Sequence, residues 1–308
     1  MGNAERTGSL HEGPGVAHES GRGALAFEVA RLLHASRPAA FILENVPNLR
    51  EFNGGADLEM LLVALRGEAG AGYWVDHAVL DAKDFGVCQQ RRRLYFVGFR
   101  TPDHSSAAAR FAWPEKSAGA VKLRDVLEPD ALVPADCRLS PAQWRRILER
   151  TQGKAARPSG RGGRLARLDG YARTLGSSYR TSDRFSEFVP PEASHAEGSD
   201  EAGALRPEAP TAGLAPADEL AFPNVSGEAP CAAALEAIAG PAPPRFFTPR
   251  ECARLQGFPD NFALEAPEYR CKDPHRFYHL VGNAVSPPVV HAIGAAVLAA
   301  LRGGGACL

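Results

Sequence analysis

Hydrophobic and polar residues follow two different periods between residues 24 and 100, and these periods predict the secondary structure. The segment ALAFEVARLLHAS places four residues on one broad face at helical spacing, Phe27, Ala30, Leu32 and Leu33, and Pro38 follows its end. The apolar run AAFILEN then predicts a short buried strand. A second helical segment, ADLEMLLVALRG, precedes two β-rich runs, GYWVDHAVLDA and RLYFVGF. The order helix, strand, helix, strand predicts a doubly wound α/β sheet.

Globular patterning returns near Arg245. The stretch RFFTPRECARLQGFPDNF reads as the end of a strand, a helix that begins at Pro249, and a Gly-Phe-Pro turn. Beyond FYHLVGNAVSPP, a closing helix places Val289, Ile293 and Val297 on one stripe. The two globular segments enclose a stretch of different composition, so we predict one domain, residues 1–114 and 245–308, interrupted by a smaller domain, residues 115–244.

Charge separates the intervening stretch into two parts. From Arg145 to Arg184 there are eleven Lys and Arg against three Asp and Glu, which is a local charge of +8. From Glu187 to Gly240 there are ten acids against the single Arg206, amid frequent Ala, Pro and Gly. The formal net charge of -1 therefore conceals a basic patch beside an acidic segment, at about residues 190–240, that we predict to be disordered.

Cysteine spacing and apolar run lengths exclude several protein classes. The six cysteines form no CxxC pair and no Cys/His ligand spacing, so neither a disulfide framework nor a metal site is predicted. We also find no apolar run of the length that crosses a membrane, and no membrane partner is expected. These features favour a soluble protein of a reducing, intracellular compartment.

Glu44 is a candidate for chemistry because it ends a buried strand. In open α/β sheets, functional groups collect just past the carboxyl ends of the strands. Two interpretations are open. In the structural one, Glu44 caps the next segment or faces solvent. In the functional one, Glu44 is a buried acid that gives a proton or a hydrogen bond to a substrate. The three residues Glu44, Asn45 and Val46 do not decide between these interpretations.

Three further stretches carry similar alternatives. Gln89, Arg91 and Arg93 occupy alternate positions entering a strand and so share one face, either as a charged edge against mispairing or as part of a site. In PRECARLQGFPDNF, Glu251 and Arg254 have the spacing of an ion pair on an ordinary helix. The stretch GNAVSPPVV has the composition of a turn and a helix start.

Together and in this order, four stretches resemble the motifs of the DNA cytosine-5 methyltransferase family. They are ENV (44–46), QQRRR (89–93, like QxRxR), RECARLQGFP (250–259) and GNAVSP (282–287). The insert lies where this family has its target recognition domain, and ARTLGSSYRTSDRFSEFVP (172–190) is similar to the segment that approaches DNA. The resemblance implies a partial doubly wound S-adenosylmethionine-dependent methyltransferase sheet with an inserted, smaller target recognition domain.

The resemblance also implies an activity and residue roles. Members transfer a methyl group from S-adenosylmethionine to C5 of a cytosine flipped out of duplex DNA. A Cys thiolate adds to C6, and an acid neutralises the charge that develops on the ring. By this resemblance, the catalytic residues are Glu44, Asn45, Arg91 and Arg93, and the two arginines hold the cytosine O2 and the loop around it. The residues that close over the cofactor are Asn283, Ala284 and Val285. The residues that bind DNA are Arg173, Ser178, Tyr179 and Arg180.

Two family motifs are missing from the sequence. Neither the PCQ motif, which carries the nucleophile, nor the FxGxG cofactor loop occurs in the 308 residues. Cys88 and Cys231 lie in the wrong sequence contexts to replace that nucleophile. We therefore expect the downstream part of a DNA cytosine-5 methyltransferase, a fragment or one half of a split enzyme, whose partners are duplex DNA and a complementary chain that carries both motifs.

Two other functions stay open at this stage. One is a catalytically inactive, DNA-binding relative of the family, and the other is a tRNA cytosine-5 methyltransferase, against which the long basic insert argues. The resemblance implies a role in restriction-modification for a bacterial source or in epigenetic marking for a eukaryotic one. The expected location is accordingly the cytoplasm with the nucleoid, or the nucleus.

Overall fold

The structure is a computed structural model that describes residues 22–67, 72–117, 119, 121–152, 164–180, 186–191, 242–264 and 275–303. The acidic segment predicted at about residues 190–240 lies almost wholly outside these residues. The helices are α1 (Arg22–Ser36), α2 (Ala56–Arg66), α3 (Ser105–Arg110), α4 (Pro141–Gln152), α5 (Pro249–Gln256), α6 (Arg276–Asn283) and α7 (Pro287–Arg302). The strands are β1 (Ala40–Asn45), β2 (Tyr73–Asp81), β3 (Arg92–Arg100), β4 (Arg164–Leu165) and β5 (Glu187–Phe188).

Contacts divide the chain into two compact units. The first comprises Met1–Ala120 and Val285–Leu308, and the second is Val121–Ala284. The stretch 245–284, which the sequence pattern assigned to the interrupted domain, groups with the second unit. Backbone pairing connects the two stretches: Arg245 and Val189 exchange two backbone hydrogen bonds of 2.8 and 3.0 Å, which tie residues 245–284 to the insert.

The first unit contains a three-stranded sheet in the order β1-β3-β2. Both neighbouring pairs are antiparallel, so β1 and β2 run in the same direction, joined through helix α2. This β1-α2-β2 crossover is the predicted α/β arrangement, whereas β3 runs the opposite way. Only residues 82–91 separate β2 from β3, and a parallel connection requires about a dozen residues or more.

Both faces of this sheet are covered. One face packs Phe41, Leu94 and Phe96 against the buried leucines of α2. The other packs Tyr95, Val97 and Phe99 against α7, and it buries the predicted stripe of Val289, Ile293 and Val297, which is thereby confirmed. The buried leucines of α2 are Leu58, Leu61, Leu62 and Leu65.

Gly98 in β3 is required by a close approach to an aromatic ring. It lies opposite Phe41 of β1, and a Cβ at Gly98 would be 2.3 Å from a carbon of the Phe41 ring. The ring therefore occupies the space that a side chain at position 98 would need. The Phe41 ring also makes an edge contact with Tyr73, with 5.1 Å between the ring centroids.

One apolar stretch is longer than the sequence pattern led us to expect. Arg276–Arg302 has the length and composition of a membrane-crossing helix, and an 18-residue window within it has a mean hydropathy of 1.8. The structure divides this stretch into α6 and α7 at residues 284–286, and Pro287 begins the second helix. Because the apolar stripe of α7 is buried on the sheet, α7 is a core helix of the first unit.

The second unit is built from short elements. Strands β4 and β5 pair in parallel over two positions each, and Trp144 of α4 packs on Phe188 with ring centroids 5.5 Å apart. Helices α5 and α6 pack against each other, and the side chain of Gln256 donates to the carbonyl of Ala284 at 2.5 Å. Four further aromatic side chains are buried in this unit: Tyr179, Phe246, Phe247 and Tyr278.

Candidate active site and recognition segment

Glu44 and Arg93 form an ion pair at the end of β1. Glu44 lies opposite Tyr95 of β3, and residues two positions apart on a strand share a face, so Arg93 also lies on the Glu44 side. The Oε1 atom of Glu44 is 2.9 Å from Nε of Arg93, and the two side chains are 27% and 15% exposed. The short helical turn that follows β1 has Val46 as its N-cap and no side-chain cap, so Glu44 is not a helix cap.

Arg91 lies beside this pair and is almost completely buried, with 3% of its surface exposed. Burial lowers the pKa of Arg91 to about 10, the charge of Arg93 adds to this effect, and Glu44 opposes it. Arg91 therefore remains cationic at neutral pH. The structure brings one carboxylate and two guanidinium groups together on one face, as the alternation of residues 89–93 suggested.

Tyr95 is a further member of this cluster that the motif comparison did not identify. The side chain of Tyr95 is 2% exposed. Burial, together with the charge of Glu44, raises the pKa of Tyr95 to about 12, so its hydroxyl is neutral at physiological pH. The signal was available in the sequence, because the alternation of Gln89, Arg91 and Arg93 continues to Tyr95. Within the β-rich run RLYFVGF, however, a tyrosine also fits an ordinary core position.

The loop before Arg91 is held by Asp81. The Oδ1 atom of Asp81 accepts the backbone N–H of Arg91 at 2.9 Å and that of Lys83 at 3.4 Å. Burial raises the pKa of this carboxyl, and both backbone hydrogen bonds oppose the rise. The backbone N–H of Ala82 also donates to the carbonyl of Arg91 at 3.0 Å, so both ends of the loop are tied together.

Asn45 and Cys88 flank the cluster. The side-chain oxygen of Asn45 accepts the backbone N–H of Val46 at 2.8 Å and shapes the turn after β1. Its catalytic role stays a prediction. Cys88 is 1% exposed, and the other free cysteines among the described residues, Cys137 and Cys252, are also buried. Cys231 lies outside the described residues.

The predicted DNA-binding residues differ in what their side chains do. Tyr179 is 2% exposed, its hydroxyl donates to the carbonyl of Glu187 at 3.1 Å and it accepts the N–H of Phe247 at 2.8 Å. Arg180 donates to Tyr278 Oη at 3.0 Å and to Asp136 at 3.2 Å. Both side chains are thus used inside the second unit.

Arg173 and Ser178 are placed differently. Arg173 is exposed, and its backbone N–H donates to the carboxylate of Glu187 at 2.8 Å, which leaves the guanidinium on the surface. Ser178 is half-buried. Contact of these two residues with DNA stays a prediction.

The RECARLQGFP motif forms α5, and Glu251 is its buried centre. Thr248 caps the helix in a capping box with Glu251. Glu251 is 0% exposed and accepts two hydrogen bonds from Arg245, at 2.8 and 2.9 Å, and one from the backbone of Glu128 at 2.8 Å. The spacing of Glu251 and Arg254 suggested that they pair, but Arg254 binds Asp260 instead.

The residues of GNAVSP lie around the end of α6. The side-chain nitrogen of Asn283 is 3.2 Å from Nε2 of His279, and the Ala284 carbonyl is bound by Gln256. Val285 is 39% exposed, and Ser286, at 2% exposure, precedes the first residue of α7. The cofactor role of Asn283, Ala284 and Val285 stays a prediction.

Fold and site together define an α/β protein with an acid-arginine cluster at a strand end and an aromatic-rich inserted unit. The family model for C-5 cytosine-specific DNA methylase matches residues 13–299, and the chain belongs to that family.

Curated relatives and solved structures agree with this assignment. The chain is 29% identical to Type II methyltransferase M.HpaII of Haemophilus parainfluenzae over 91% of its length, and it spans 66% of that protein. It is 30% identical to M.NlaX of Neisseria lactamica, of which it spans 69%. For the next two relatives the spans are 62% and 59%, so the chain corresponds to under two thirds of several relatives.

Two solved structures share the fold. The Entamoeba histolytica methyltransferase EhMeth has a TM-score of 0.55 at 16% identity, with 92% of this chain and 71% of that chain covered. The S. pombe Dnmt2 methyltransferase has a TM-score of 0.54 at 16% identity, with 96% and 74% covered.

Proposed function

We propose that this chain is the acid-bearing and DNA-recognising part of a DNA (cytosine-5-)-methyltransferase, which transfers a methyl group from S-adenosylmethionine to C5 of a cytosine flipped out of duplex DNA. The observation that carries the proposal is the Glu44–Arg93 pair with Arg91 buried beside it. Family membership supports the reaction class.

The cluster suits the charge that this reaction creates. When a thiolate adds to C6 of cytosine, electron density moves from the ring double bond towards N3 and O2. A protonated Glu44 would donate a hydrogen bond to N3 and accept one from the exocyclic amine, and the guanidinium groups of Arg91 and Arg93 would face O2. A guanidinium has five N–H donors and stays charged, so it stabilises a developing oxyanion without losing its proton.

The cysteines that the structure describes are poorly placed to attack a base. Cys88, Cys137 and Cys252 are each at most 1% exposed. Burial also raises the pKa of Cys137 and of Cys252, which favours the unreactive thiol. Because none of the six cysteines lies in a PCQ motif, we propose that the attacking thiolate comes from a separate polypeptide that carries the PCQ and FxGxG motifs.

The methyl donor fits the described residues in part. Val285 and Asn283 are exposed and open to a ligand, whereas the carbonyl of Ala284 is already bound by Gln256. S-adenosylmethionine also carries a carboxylate, an ammonium and a ribose, which need several polar partners, and the FxGxG loop is missing from the sequence. These residues therefore account for one wall of a cofactor site at most.

A reconstitution assay tests the proposal. The full chain is mixed with a polypeptide carrying the FxGxG and PCQ motifs, and incorporation of labelled methyl groups into duplex DNA is measured. We expect incorporation only from the mixture, and none when the chain carries Glu44→Gln. Glu28→Gln is the matched control, because Glu28 is an exposed carboxylate that pairs with Arg31 on α1.

Two outcomes would count against the proposal. Methyl transfer by the chain alone would show that it needs no external nucleophile. Full activity of the Glu44→Gln mixture would remove Glu44 from the reaction. A mixture that binds DNA and never transfers methyl groups would favour the second candidate, an inactive, DNA-binding relative. For the third candidate, a tRNA methyltransferase, none of the described residues gives support.

DNA binding is tested separately through its salt dependence. Each neutralised phosphate contributes a slope of roughly -0.9 in a plot of log affinity against log salt. We expect a steep slope for the full chain, and we expect Arg173→Ala to make it shallower by about one unit. Binding that is equal at low and moderate salt would contradict phosphate contact by the basic patch.

A further inference from the structure

One helix contacts the segment Gly176–Arg180, here termed the recognition segment, at both of its ends. Near the start of the segment, Nδ1 of His279 in α6 is 3.3 Å from the carbonyl oxygen of Ser177. Near its end, the Tyr278 ring lies 5.7 Å from the ring of Tyr179, and the Tyr278 hydroxyl accepts from Arg180 at 3.0 Å. Helix α6 ends at Asn283 of the GNAVSP motif.

We infer that α6 holds the recognition segment in the shape that reads DNA, and that His279 is a positioning residue for sequence recognition. This inference rests on the proposed function, in which the segment contacts DNA. It adds a role for α6 that the motif assignments do not include, because they connect its last residue with the cofactor alone.

The closest approach is at Gly282. A Cβ at this position would lie 2.4 Å from both the carbonyl carbon and the carbonyl oxygen of Gly176 and 2.6 Å from the backbone nitrogen of Ser177. All three are backbone atoms, so no side-chain rotation relieves the overlap. Any residue larger than glycine at 282 must push the recognition segment away from α6.

His279 connects the segment to the GNAVSP motif through both ring nitrogens. The carbonyl of Ser177 only accepts hydrogen bonds, so Nδ1 must carry the ring proton that it donates at 3.3 Å. In a neutral ring the other nitrogen, Nε2, is then an acceptor, and the side-chain nitrogen of Asn283 lies 3.2 Å from it. A single tautomer therefore satisfies both contacts.

The far end of the segment is fixed by Arg180. Its backbone has a φ of 66°, a left-handed conformation that is uncommon for a side chain of this size. The guanidinium lies 5.0 Å from the centroid of the Phe246 ring and 5.1 Å from that of Tyr278, and it donates to Asp136. These contacts, all within the second unit, hold the end of the segment in place.

A preformed segment affects specificity more than total affinity. Contacts with phosphates tolerate small displacements, whereas contacts with base edges require defined positions. A segment that is already ordered also loses less conformational entropy when it binds. Loosening the segment should therefore reduce discrimination between DNA sequences while binding to mixed-sequence DNA changes little.

The test uses the full chain with Gly282→Ala and, separately, His279→Gln, which keeps a polar side chain but cannot match both imidazole contacts. Leu280→Ala is the matched control, because Leu280 lies on the same helix and is 44% exposed. Hydrogen exchange is measured at the amides of residues 176–180. We expect exchange to be about tenfold faster in the two variants and unchanged in the control.

The same proteins are then incubated with a pool of duplex DNA in which the central base pairs are randomised. We expect the wild-type chain to enrich a sequence, and the two variants to lose at least about tenfold of that enrichment at nearly unchanged affinity for the whole pool. A circular dichroism spectrum checks that each variant remains folded; His279→Gln, which introduces no overlap, is decisive if Gly282→Ala unfolds.

The possible results separate the inference from the proposed function. Wild-type exchange rates at residues 176–180 in both variants would overturn the inference, as would an equal effect of Leu280→Ala. Faster exchange combined with unchanged sequence enrichment would overturn the role of His279 in recognition. A wild-type chain that binds no duplex DNA would refute the proposed function and the recognition role with it, while the exchange data would still decide whether α6 holds the segment.

Discussion

The strongest effect on stability should come from breaking the ion pair between Glu251 and Arg245. Glu251 is 0% exposed and Arg245 8% exposed, and two hydrogen bonds of 2.8 and 2.9 Å join their side chains. The carboxylate also accepts the backbone N–H groups of Thr248, at 2.9 Å, and of Glu128, at 2.8 Å. Burial lowers the pKa of Arg245, but the bonds and charge of Glu251 outweigh it and raise the pKa overall.

Glu251→Gln leaves a buried guanidinium opposite an amide. The glutamine oxygen can accept some of these four hydrogen bonds, but its NH₂ group then faces other donors. Removing one partner of a buried ion pair typically costs about 3–5 kcal/mol. The stability of a domain is about 5–15 kcal/mol, so this single change removes a large part of it.

Urea unfolding checks this magnitude. The signal is the fluorescence of Trp144, which packs on Phe188 in the same unit, in a background where Trp74 and Trp113 are phenylalanine. The double variant combines Glu251→Leu with Arg245→Met, so no unpaired charge remains buried. We expect its loss in free energy of unfolding to be smaller, by at least about 2 kcal/mol, than the summed losses of the variants Glu251→Leu and Arg245→Met. The rescue is partial, since the backbone N–H groups of Thr248 and Glu128 lose their acceptor.

Two results would refute this reasoning. A loss below about 1 kcal/mol for Glu251→Gln would show that the carboxylate is not needed to compensate Arg245. Additive losses in the double variant would show that the two side chains act independently. Asp260→Asn is the control, because Asp260 is largely exposed and its pair with Arg254 is expected to contribute little to the free energy of unfolding.

Two further predictions concern the first unit. The pKa of Tyr95 is about 12 in the folded chain and ordinarily 10, so the unfolded chain releases this proton first and the free energy of unfolding falls as pH rises from 10 to 12. Relative to Tyr95→Phe, the wild type should lose roughly 3 kcal/mol across that window in denaturant titrations, and a constant difference between the two proteins would contradict the assigned environment. Gly98→Ala should cost about 1–3 kcal/mol, because its Cβ would overlap the Phe41 ring. Phe41→Leu in the Gly98→Ala background should recover part of this loss. If Gly98→Ala alone has the thermal midpoint of the wild type, the Phe41 ring moves aside freely and the prediction is wrong.

Much of the site could be predicted from the sequence because its parts are local. Alternation along a strand places Arg91 and Arg93 on one face whatever the partner strand is, and the apolar run before Glu44 ends the strand at the carboxylate. The family motifs then placed these residues in one predicted site, and the structure shows that Glu44 and Arg93 are in contact. Tyr95 was missed only because a strand tyrosine is also an ordinary core residue.

The strand directions and the partners of charged residues could not be predicted in this way. Helical spacing paired Glu251 with Arg254, yet Glu251 binds Arg245, because a buried carboxylate needs several donors and one partly exposed neighbour does not supply them. Likewise, β3 runs antiparallel between β1 and β2, which depends on the short connection from β2 and on pairing across the sheet.

The sequence by itself determined the helices α1 and α2, the three strands of the first unit, the apolar stripe of α7 and the family of this protein, because periodicity and motif order are properties of neighbouring residues. Only the tertiary structure decided that residues 245–284 pack with the inserted unit and that Tyr179 and Arg180 are engaged inside that unit. It alone showed the approach of Gly176 to Gly282, residues far apart in the chain. Such contacts depend on which backbone segments meet in space, and no local pattern encodes that distance.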